Sequence, residues 1–175
     1  MKFTIITPNY NGGKYLEKCI KSVLDQKVDF EHIVVDAEST DSSSDILNSY
    51  SHLKIISEKD NGMYDAINKG IAIAEGDIIA YLNCDDRYPD GSLSLVLEAF
   101  NKNEKIDFVY GNCRFVNHLE QEVYPYKVPP LFGNLLCELA DINDVNNIFY
   151  CNMSCNNGYY IENISFYERL YFIFL

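Results

Sequence analysis

The stretch Asp77-Ile78-Ile79-Ala80-Tyr81-Leu82-Asn83-Cys84-Asp85-Asp86 decides the fold class. Residues 77–83 are apolar at nearly every position, so they predict a strand buried on both faces, as in a parallel sheet covered by helices. Two adjacent carboxylates follow at once. At a strand end they repel each other and lose hydration, so they call for a cation. Carboxylate oxygens suit Mg²⁺ or Mn²⁺, ions that share their ligands with substrate phosphates. A solvated Asp-rich turn would have the same local sequence. The position at a strand end, where ligands of α/β sheets bind, gives the chemical reading equal weight.

Working outward, strands and helices alternate. Phe3–Thr7, Glu31–Asp36, Lys54–Ser57 and Ile106–Tyr110 are short β-prone runs. Between them, Lys14–Gln26 carries an apolar stripe through Tyr15, Leu16, Cys19, Ile20, Val23 and Leu24. Asp41–Tyr50 predicts a short helix capped by Ser39, Thr40 or Asp41. Tyr64–Ala74 and Ser92–Phe100 each show one apolar face, the latter with Asp90 as cap. Glu122–Tyr126 predicts a hairpin partner for the segment around Phe115. This order implies βαβ units, a mostly parallel sheet, and strand C-termini gathered along one edge. Polar clusters fall at that edge: Thr7 to Asn11, Asp36 to Asp41, and Asn83 to Asp86.

Composition sets the outer bounds. The 175 residues are 47% hydrophobic and 23% charged, which fits one globular domain. The net charge of −12 argues against nucleic acid as a partner, since that needs a basic surface. No apolar run approaches the roughly 20 residues of a membrane span. The N-terminal apolar run is too short for a signal peptide, which predicts a cytoplasmic chain whose six cysteines are free thiols. The loops hold neither GxGxxG nor a Walker A pattern, so dinucleotide and P-loop chemistry fail.

Several polar positions invite a chemical reading beside a plain one. Asp36 could accept a hydrogen bond from a base N–H, or cap the Ser39-Thr40-Asp41 turn. Tyr10 could stack on a base, or lie on its own surface. Asp65, Asn68 and Lys69 share the helix face opposite Ile67 and Ile71, as a solvated face also would. The preceding Glu58-Lys59-Asp60-Asn61-Gly62 turn aims that helix start at the ligand edge.

Taken together, Ile5-Ile6-Thr7-Pro8-Asn9-Tyr10-Asn11, Ile33-Val34-Val35-Asp36 with Ser39-Thr40-Asp41, residues 57–70 (SEKDNGMYDAINKG) and Leu82-Asn83-Cys84-Asp85-Asp86 resemble family 2 glycosyltransferases of the GT-A fold. The four blocks keep the family's order and spacing and cover about residues 3–115. The third block is similar to the branch acting in capsule, O-antigen and colanic-acid-like polysaccharide assembly. The resemblance implies a three-layer α/β sandwich around a Rossmann-like sheet. It implies a UDP- or GDP-linked sugar donor, Mg²⁺ or Mn²⁺, a saccharide or lipid-linked acceptor, and inversion at the anomeric carbon. Carried over by position, it implies that Thr7, Pro8, Asn9, Tyr10, Asp36 and Ser39 surround the nucleotide. It sets Asp60, Asp65, Asn68, Lys69 and Asp85 near the ribose and donor sugar. Asp86 is the first choice as direct metal ligand, with Asp85 reaching the ribose or a metal-bound water.

The chain changes character near Pro129-Pro130. Residues 1–130 hold 13 of the 14 basic residues, whereas 131–175 hold only Arg169, together with eight Asn and ten of the 24 Phe and Tyr. We therefore expect a nucleotide-sugar-binding core over 1–130 and a divergent tail over 131–175. The family's late catalytic carboxylate has only Asp141, Asp144, Glu162 and Glu168 as candidates there, none in a recognisable motif. A truncated or frameshifted product, binding nucleotide without transferring sugar, is the alternative expectation. A nucleotidyltransferase is a weaker one, since Lys14 alone follows Asn11-Gly12-Gly13. Phe166, Tyr167, Leu170, Tyr171 and Phe174 would fall on one side of a helix lying on the inner face of the cell membrane, although Arg169 is its single cation.

Overall fold

The computed structural model describes residues 1–102, 108–117, 121–126, 158–167 and 173–174. The chain order is β1 (Phe3–Asn9), α1 (Gly13–Leu24), β2 (Phe30–Asp36), α2 (Ser43–Asn48), β3 (Leu53–Ser57), α3 (Met63–Ala72), β4 (Ile78–Tyr81), α4 (Ser92–Lys102), β5 (Phe108–Val116), β6 (Glu122–Tyr126), β7 (Gly158–Tyr167) and β8 (Ile173–Phe174). The sheet order is β3-β2-β1-β4-β8-β5-β6, with β7 pairing β5. Strands β3, β2, β1 and β4 run parallel, in the register Phe3↔Phe30, His32↔Leu53 and Phe3↔Ile78. The expected hairpin is present, with Phe115 opposite Tyr124 across antiparallel β5 and β6.

Side-chain alternation builds the three layers. Ile5 on β1 joins a core with Cys19 and Val23 of α1 and Leu93, Val96 and Phe100 of α4. Its neighbour Ile6 points the other way, into a core with Ile33, Val35 and the α3 residues Ala66 and Ile67. Val34 packs with Leu16, Ile20 and Leu47 of α1 and α2. One face of the parallel sheet thus meets α1, α2 and α4, and the other meets α3. That double coverage is why β1, β2 and β4 read as continuous apolar runs. Burial of each such Leu, Ile or Val contributes about 1.5–3 kcal/mol before entropy is counted. Gly70 lets α3 approach β1, because a Cβ there would lie 2.5 Å from Ile6 Cγ2.

Some expectations shift. Tyr15 and Leu24 were assigned to the apolar stripe of α1, but they lie at its edges and remain exposed, and Lys14 Nζ sits 4.8 Å from the Tyr15 ring centroid. α2 starts after Ser42 rather than after Asp41. Asp41 still serves the helix start, because Oδ1 accepts the Ser43 N–H at 2.9 Å. β5 extends to Val116, six residues beyond the expected end.

The largest difference concerns the tail. Phe166 and Tyr167 close β7, and Phe174 lies in β8, which pairs antiparallel with β4 and β5. The interfacial helix is therefore not formed at those positions. The Tyr159-Tyr160-Ile161 and Ile164-Ser165-Phe166-Tyr167 runs are aromatic and β-branched, a composition that favours strands, and β5 offers the hydrogen-bond partner. Leu170 and Tyr171 lie outside the described residues, as do Pro129-Pro130, Asp141, Asp144 and Glu168. No helix among the described residues is long and apolar enough to cross a membrane.

Candidate functional site

The C-terminal ends of β1, β2 and β4 converge on a cavity of about 670 Å³. Pro8, Asn9 and Tyr10 form one wall. Ala37 and Glu38 follow β2, and Lys59, Asp60, Gly62 and Met63 lead into α3. Asn83, Cys84 and Asp85 close the site after β4. Five residues singled out from sequence meet here: Pro8, Asn9, Tyr10, Asp60 and Asp85. Tyr10 is 68% exposed, so its ring face is available to a planar ligand.

The remaining expected residues stand behind this lining, and their partners show why. Thr7 is fully buried, and its hydroxyl lies 2.9 Å from His32 Nε2. It does not border the cavity and stands behind the lining. His32 is fully buried on β2 beside β1, and burial, with help from nearby His52, pushes its pKa down to about 3. The imidazole is therefore neutral at ordinary pH.

Asp36 is only 4% exposed. One oxygen accepts Asn9 Nδ2 at 2.6 Å and Ser39 Oγ at 2.6 Å, and the other accepts the Ser39 N–H at 3.0 Å. An ionised carboxylate has about four acceptor sites, and three are taken within the chain. The structure thus displays the turn-capping role of Asp36. Ser39 is spent in the same network, and its Oγ also accepts the Asn11 N–H at 2.8 Å. Asn11 in turn uses Oδ1 to accept the Thr40 N–H at 2.8 Å, and holds φ at +53°. These bonds weld the loop after β1 to the loop after β2. Hydrogen bonds to a charged group contribute about 1.5–3 kcal/mol each, so this weld is strong by local standards.

The α3 side is organised likewise. Asp60 Oδ1 accepts the Gly62 N–H at 2.9 Å, and Gly62 takes φ +110°, which glycine tolerates. Asp65 Oδ2 accepts the Asn61 N–H at 2.9 Å, so Asp65 caps its own helix rather than lining the cavity. Lys69 Nζ donates to the Lys59 carbonyl at 2.6 Å and pairs with Glu58 at 3.0 Å and Asp65 at 3.6 Å. Lys69 therefore braces the 58–62 turn from behind. Asn68, one turn before the end of α3, is also outside the lining.

The paired carboxylates differ in exposure. Asp85 is exposed and lines the cavity. Asp86 is 1% exposed and turns inward, with its amide donating to the Asn83 carbonyl at 3.0 Å. Burial raises the Cys19, Tyr81 and Tyr88 pKa values, and the Asp86 charge adds to each rise. Both residues lie beyond β4, where the chain turns at Cys84 and Asp85, so Asp85 sits on the outside of the turn and Asp86 returns to the core. The segment after Asp86 is pinned to α1: the Tyr88 N–H donates to Ser22 Oγ at 3.1 Å, and Gln26 Nε2 donates to the Pro89 carbonyl at 3.1 Å.

A divalent ion fits this geometry through Asp85. Among the described residues no group of three His, Cys, Asp or Glu side chains could hold a metal alone. Mg²⁺ and Mn²⁺ sites built from one or two carboxylates plus substrate phosphates and water require no such group. Cys84 also lines the cavity, but burial, with the Asp85 charge beside it, pushes its thiol up to about 11, so it is an unreactive wall. Cys19 and Cys84 are both free thiols, as expected.

Ala37, Glu38, Lys59, Met63 and the supporting role of Gly12 were missed in the sequence. Glu38 had a weak signal, lying two residues past Asp36 in the Asp36–Asp41 loop. Gly12 had none beyond being a glycine near a strand end. A Cβ there would lie 2.4 Å from Asn9 Oδ1 and 2.5 Å from Cys84 Sγ.

Comparison with known proteins places this geometry. An uncharacterized glycosyltransferase of Nostoc sp. is 32% identical over 129 residues, which are 67% of this chain and 40% of that protein. The putative teichuronic acid biosynthesis glycosyltransferase TuaG of Bacillus subtilis is 37% identical over 101 residues, 54% of this chain and 40% of TuaG. Among solved structures, S. aureus TarS 1–349 in complex with UDP-GlcNAc superposes with a TM-score of 0.62 at 27% identity, covering 74% of this chain and 37% of that one. The chain thus spans about two-fifths of the curated relatives it matches. The fold is the mostly parallel α/β sheet of GT-A-like proteins. The model of the family described as Glycosyl transferase family 2 matches residues 4–160, running past the composition break at Pro129-Pro130 and well beyond residue 115. The chain belongs to glycosyl transferase family 2.

Proposed function

We propose that residues 1–130 form the donor half of an inverting sugar transferase of cell-surface polysaccharide assembly, with β7 and β8 completing the sheet. The donor is a nucleotide-diphosphate sugar, UDP- or GDP-linked, and the acceptor is a saccharide or lipid-linked hydroxyl. The observation that carries this reading is the cavity at the strand ends, lined by both Tyr10 and Asp85, each of them exposed. A planar base and a metal-bound diphosphate are what such walls suit. The likeness to polysaccharide enzymes such as TuaG, and to TarS bound to UDP-GlcNAc, favours the same assignment.

In this reading Tyr10 stacks on the base, and Asn9 and Pro8 set the floor beneath the nucleoside. Asp36 and Ser39 act by holding Asn9 and the 37–41 loop in place. Asp60 and Gly62 shape the sugar end. Asp85 would hold Mg²⁺ or Mn²⁺, and the ion would supply Lewis-acid neutralisation of charge on the leaving diphosphate. An acceptor hydroxyl attacks the anomeric carbon, its C–O bond to the diphosphate breaks, and a carboxylate takes the hydroxyl proton.

Calorimetric titration with UDP and GDP, with and without Mn²⁺, tests the donor half. Metal-dependent binding that Asp85→Asn abolishes is expected. A folded chain that binds neither nucleotide would sink the assignment. A product assay with permissive acceptors then separates transfer from binding alone.

A further inference from the structure

Among the described residues, the cavity walls carry three carboxylates, Glu38, Asp60 and Asp85, against one cation, Lys59. A diphosphate entering that field is repelled unless positive charge enters or is already present. A divalent ion at Asp85 supplies part of it. Lys59 is the lining residue able to supply the rest.

Its setting suits that task. The Lys59 backbone is fixed by the Lys69 ammonium at its carbonyl, while its own side chain is 87% exposed. Its Nζ stands 4.0 Å from Glu38 Oε2, at the limit of an ion pair. An exposed pair at that distance contributes little, so exchanging one anion for another costs little. Glu38 reaches its position through a left-handed backbone, φ +54°, which a side chain of its kind seldom adopts. Both its neighbours hold it there. The Ala37 N–H donates to the Asn9 carbonyl at 2.9 Å, and the Ser39 N–H donates to Asp36 at 3.0 Å. The network that shapes the nucleoside floor therefore also aims Glu38 at Lys59.

We infer that Lys59 is this chain's own cation for the donor diphosphate, and that Glu38 holds its ammonium beside the cavity until a diphosphate displaces the carboxylate. The inference rests on the donor-pocket reading above. It makes Lys59 a selectivity residue for diphosphates over bare nucleosides, and Glu38 a competitor that weakens binding.

The test is titration of uridine, UDP, guanosine and GDP, with Mn²⁺, into the full chain and its Lys59→Met, Lys59→Arg and Glu38→Gln variants, each checked for folding by circular dichroism. A lost hydrogen-bonded charge at a diphosphate should weaken diphosphate affinity about tenfold in Lys59→Met and leave nucleoside affinity within about twofold. Lys59→Arg should retain most of the diphosphate affinity, and Glu38→Gln should raise it. Lys59→Met that binds diphosphate as tightly as the parent chain, or that weakens nucleoside and diphosphate alike, overturns the role of Lys59. Glu38→Gln without effect overturns the competition. A parent chain that binds no nucleotide overturns the pocket reading itself and this inference with it.

Discussion

Gly12→Ala should damage the donor pocket through two contacts alone. Gly12 holds φ −90° and ψ 9°, a backbone any residue adopts, so the substitution carries no left-handed strain. A Cβ built there lies 2.4 Å from Asn9 Oδ1, 2.5 Å from Cys84 Sγ and 3.2 Å from Cys84 Cβ. Ordinary contact begins near 3.5 Å, so the neighbours must move by about 1 Å. Neither can move at small cost. Asn9 is 3% exposed and tied to Asp36 at 2.6 Å, and a shift of that size takes the bond out of range. Cys84 precedes Asp85 and follows the Asn83 carbonyl that accepts Cys19 Sγ at 3.4 Å.

Overpacking costs about 1–3 kcal/mol and a weakened charge-assisted bond about 1.5–3, so a total of about 2–4 kcal/mol is expected once partial relief is allowed. In a domain of this size that lowers Tm by roughly 5–12 °C. Urea denaturation gives the stability change, and calorimetry gives the loss of nucleotide affinity. Removing the sulfur tests the cause, because Gly12→Ala with Cys84→Ala should recover about 1 kcal/mol relative to additivity. A Gly12→Ala chain within about 0.5 kcal/mol of the parent, with unchanged nucleotide affinity, would refute the reasoning.

Other outcomes follow from the same structure. Asp85→Asn should abolish metal-dependent nucleotide binding with little change in Tm, whereas Asp86→Asn should chiefly lower Tm; the reverse pattern in paired calorimetry and thermal melts would restore Asp86 as the metal ligand. Gly70→Ala should destabilise by about 1–3 kcal/mol through its clash with Ile6, read by urea midpoint, and Ile6→Val should relieve it. Burial of Glu31 would raise its pKa, but hydrogen bonds from Lys54, Thr4 and the Glu75 N–H, with the Lys2 charge, lower it to about 2. Its depressed pKa makes its stabilisation complete above about pH 4.5 and lost as pH falls towards 2, a contribution of about 3 kcal/mol that Glu31→Gln should remove from the acid limb of a stability profile. His32 is likewise depressed, to about 3, so its burial as a neutral ring favours the fold above about pH 6.5 and opposes it increasingly below; a stability profile of His32→Gln should be flatter between pH 6.5 and 4.

The fold was legible because its signals are local and repeated. A continuous apolar run such as residues 77–83 can only be a doubly covered strand or a buried helix, and seven residues between turns favour the strand. Helix faces were equally plain, since Leu16, Cys19, Ile20 and Val23 recur at helical spacing and are the buried residues of α1. The tail resisted the same treatment. Its aromatics suit a strand as well as an interfacial helix, and the choice rests on whether β5 offers an edge, which no local pattern records.

The site was legible in its location and not in its division of labour. Polar residues at strand ends mark where a ligand binds, but sequence cannot say which of two neighbours faces it. Asp85 and Asp86 are chemically identical, and the turn after β4 sets one outward and one into the core. Asp36, Ser39, Asp65 and Lys69 carry the residue types of ligand contacts, yet each is satisfied by another part of the chain. A ligand-facing group must keep hydrogen-bonding capacity in reserve, and a loop that holds it still must use that capacity up. The polar residues of this edge divide along that line: those with three internal partners brace the loops, and those left exposed on the braced loops, Tyr10, Lys59 and Asp85, are the ones positioned to meet a nucleotide.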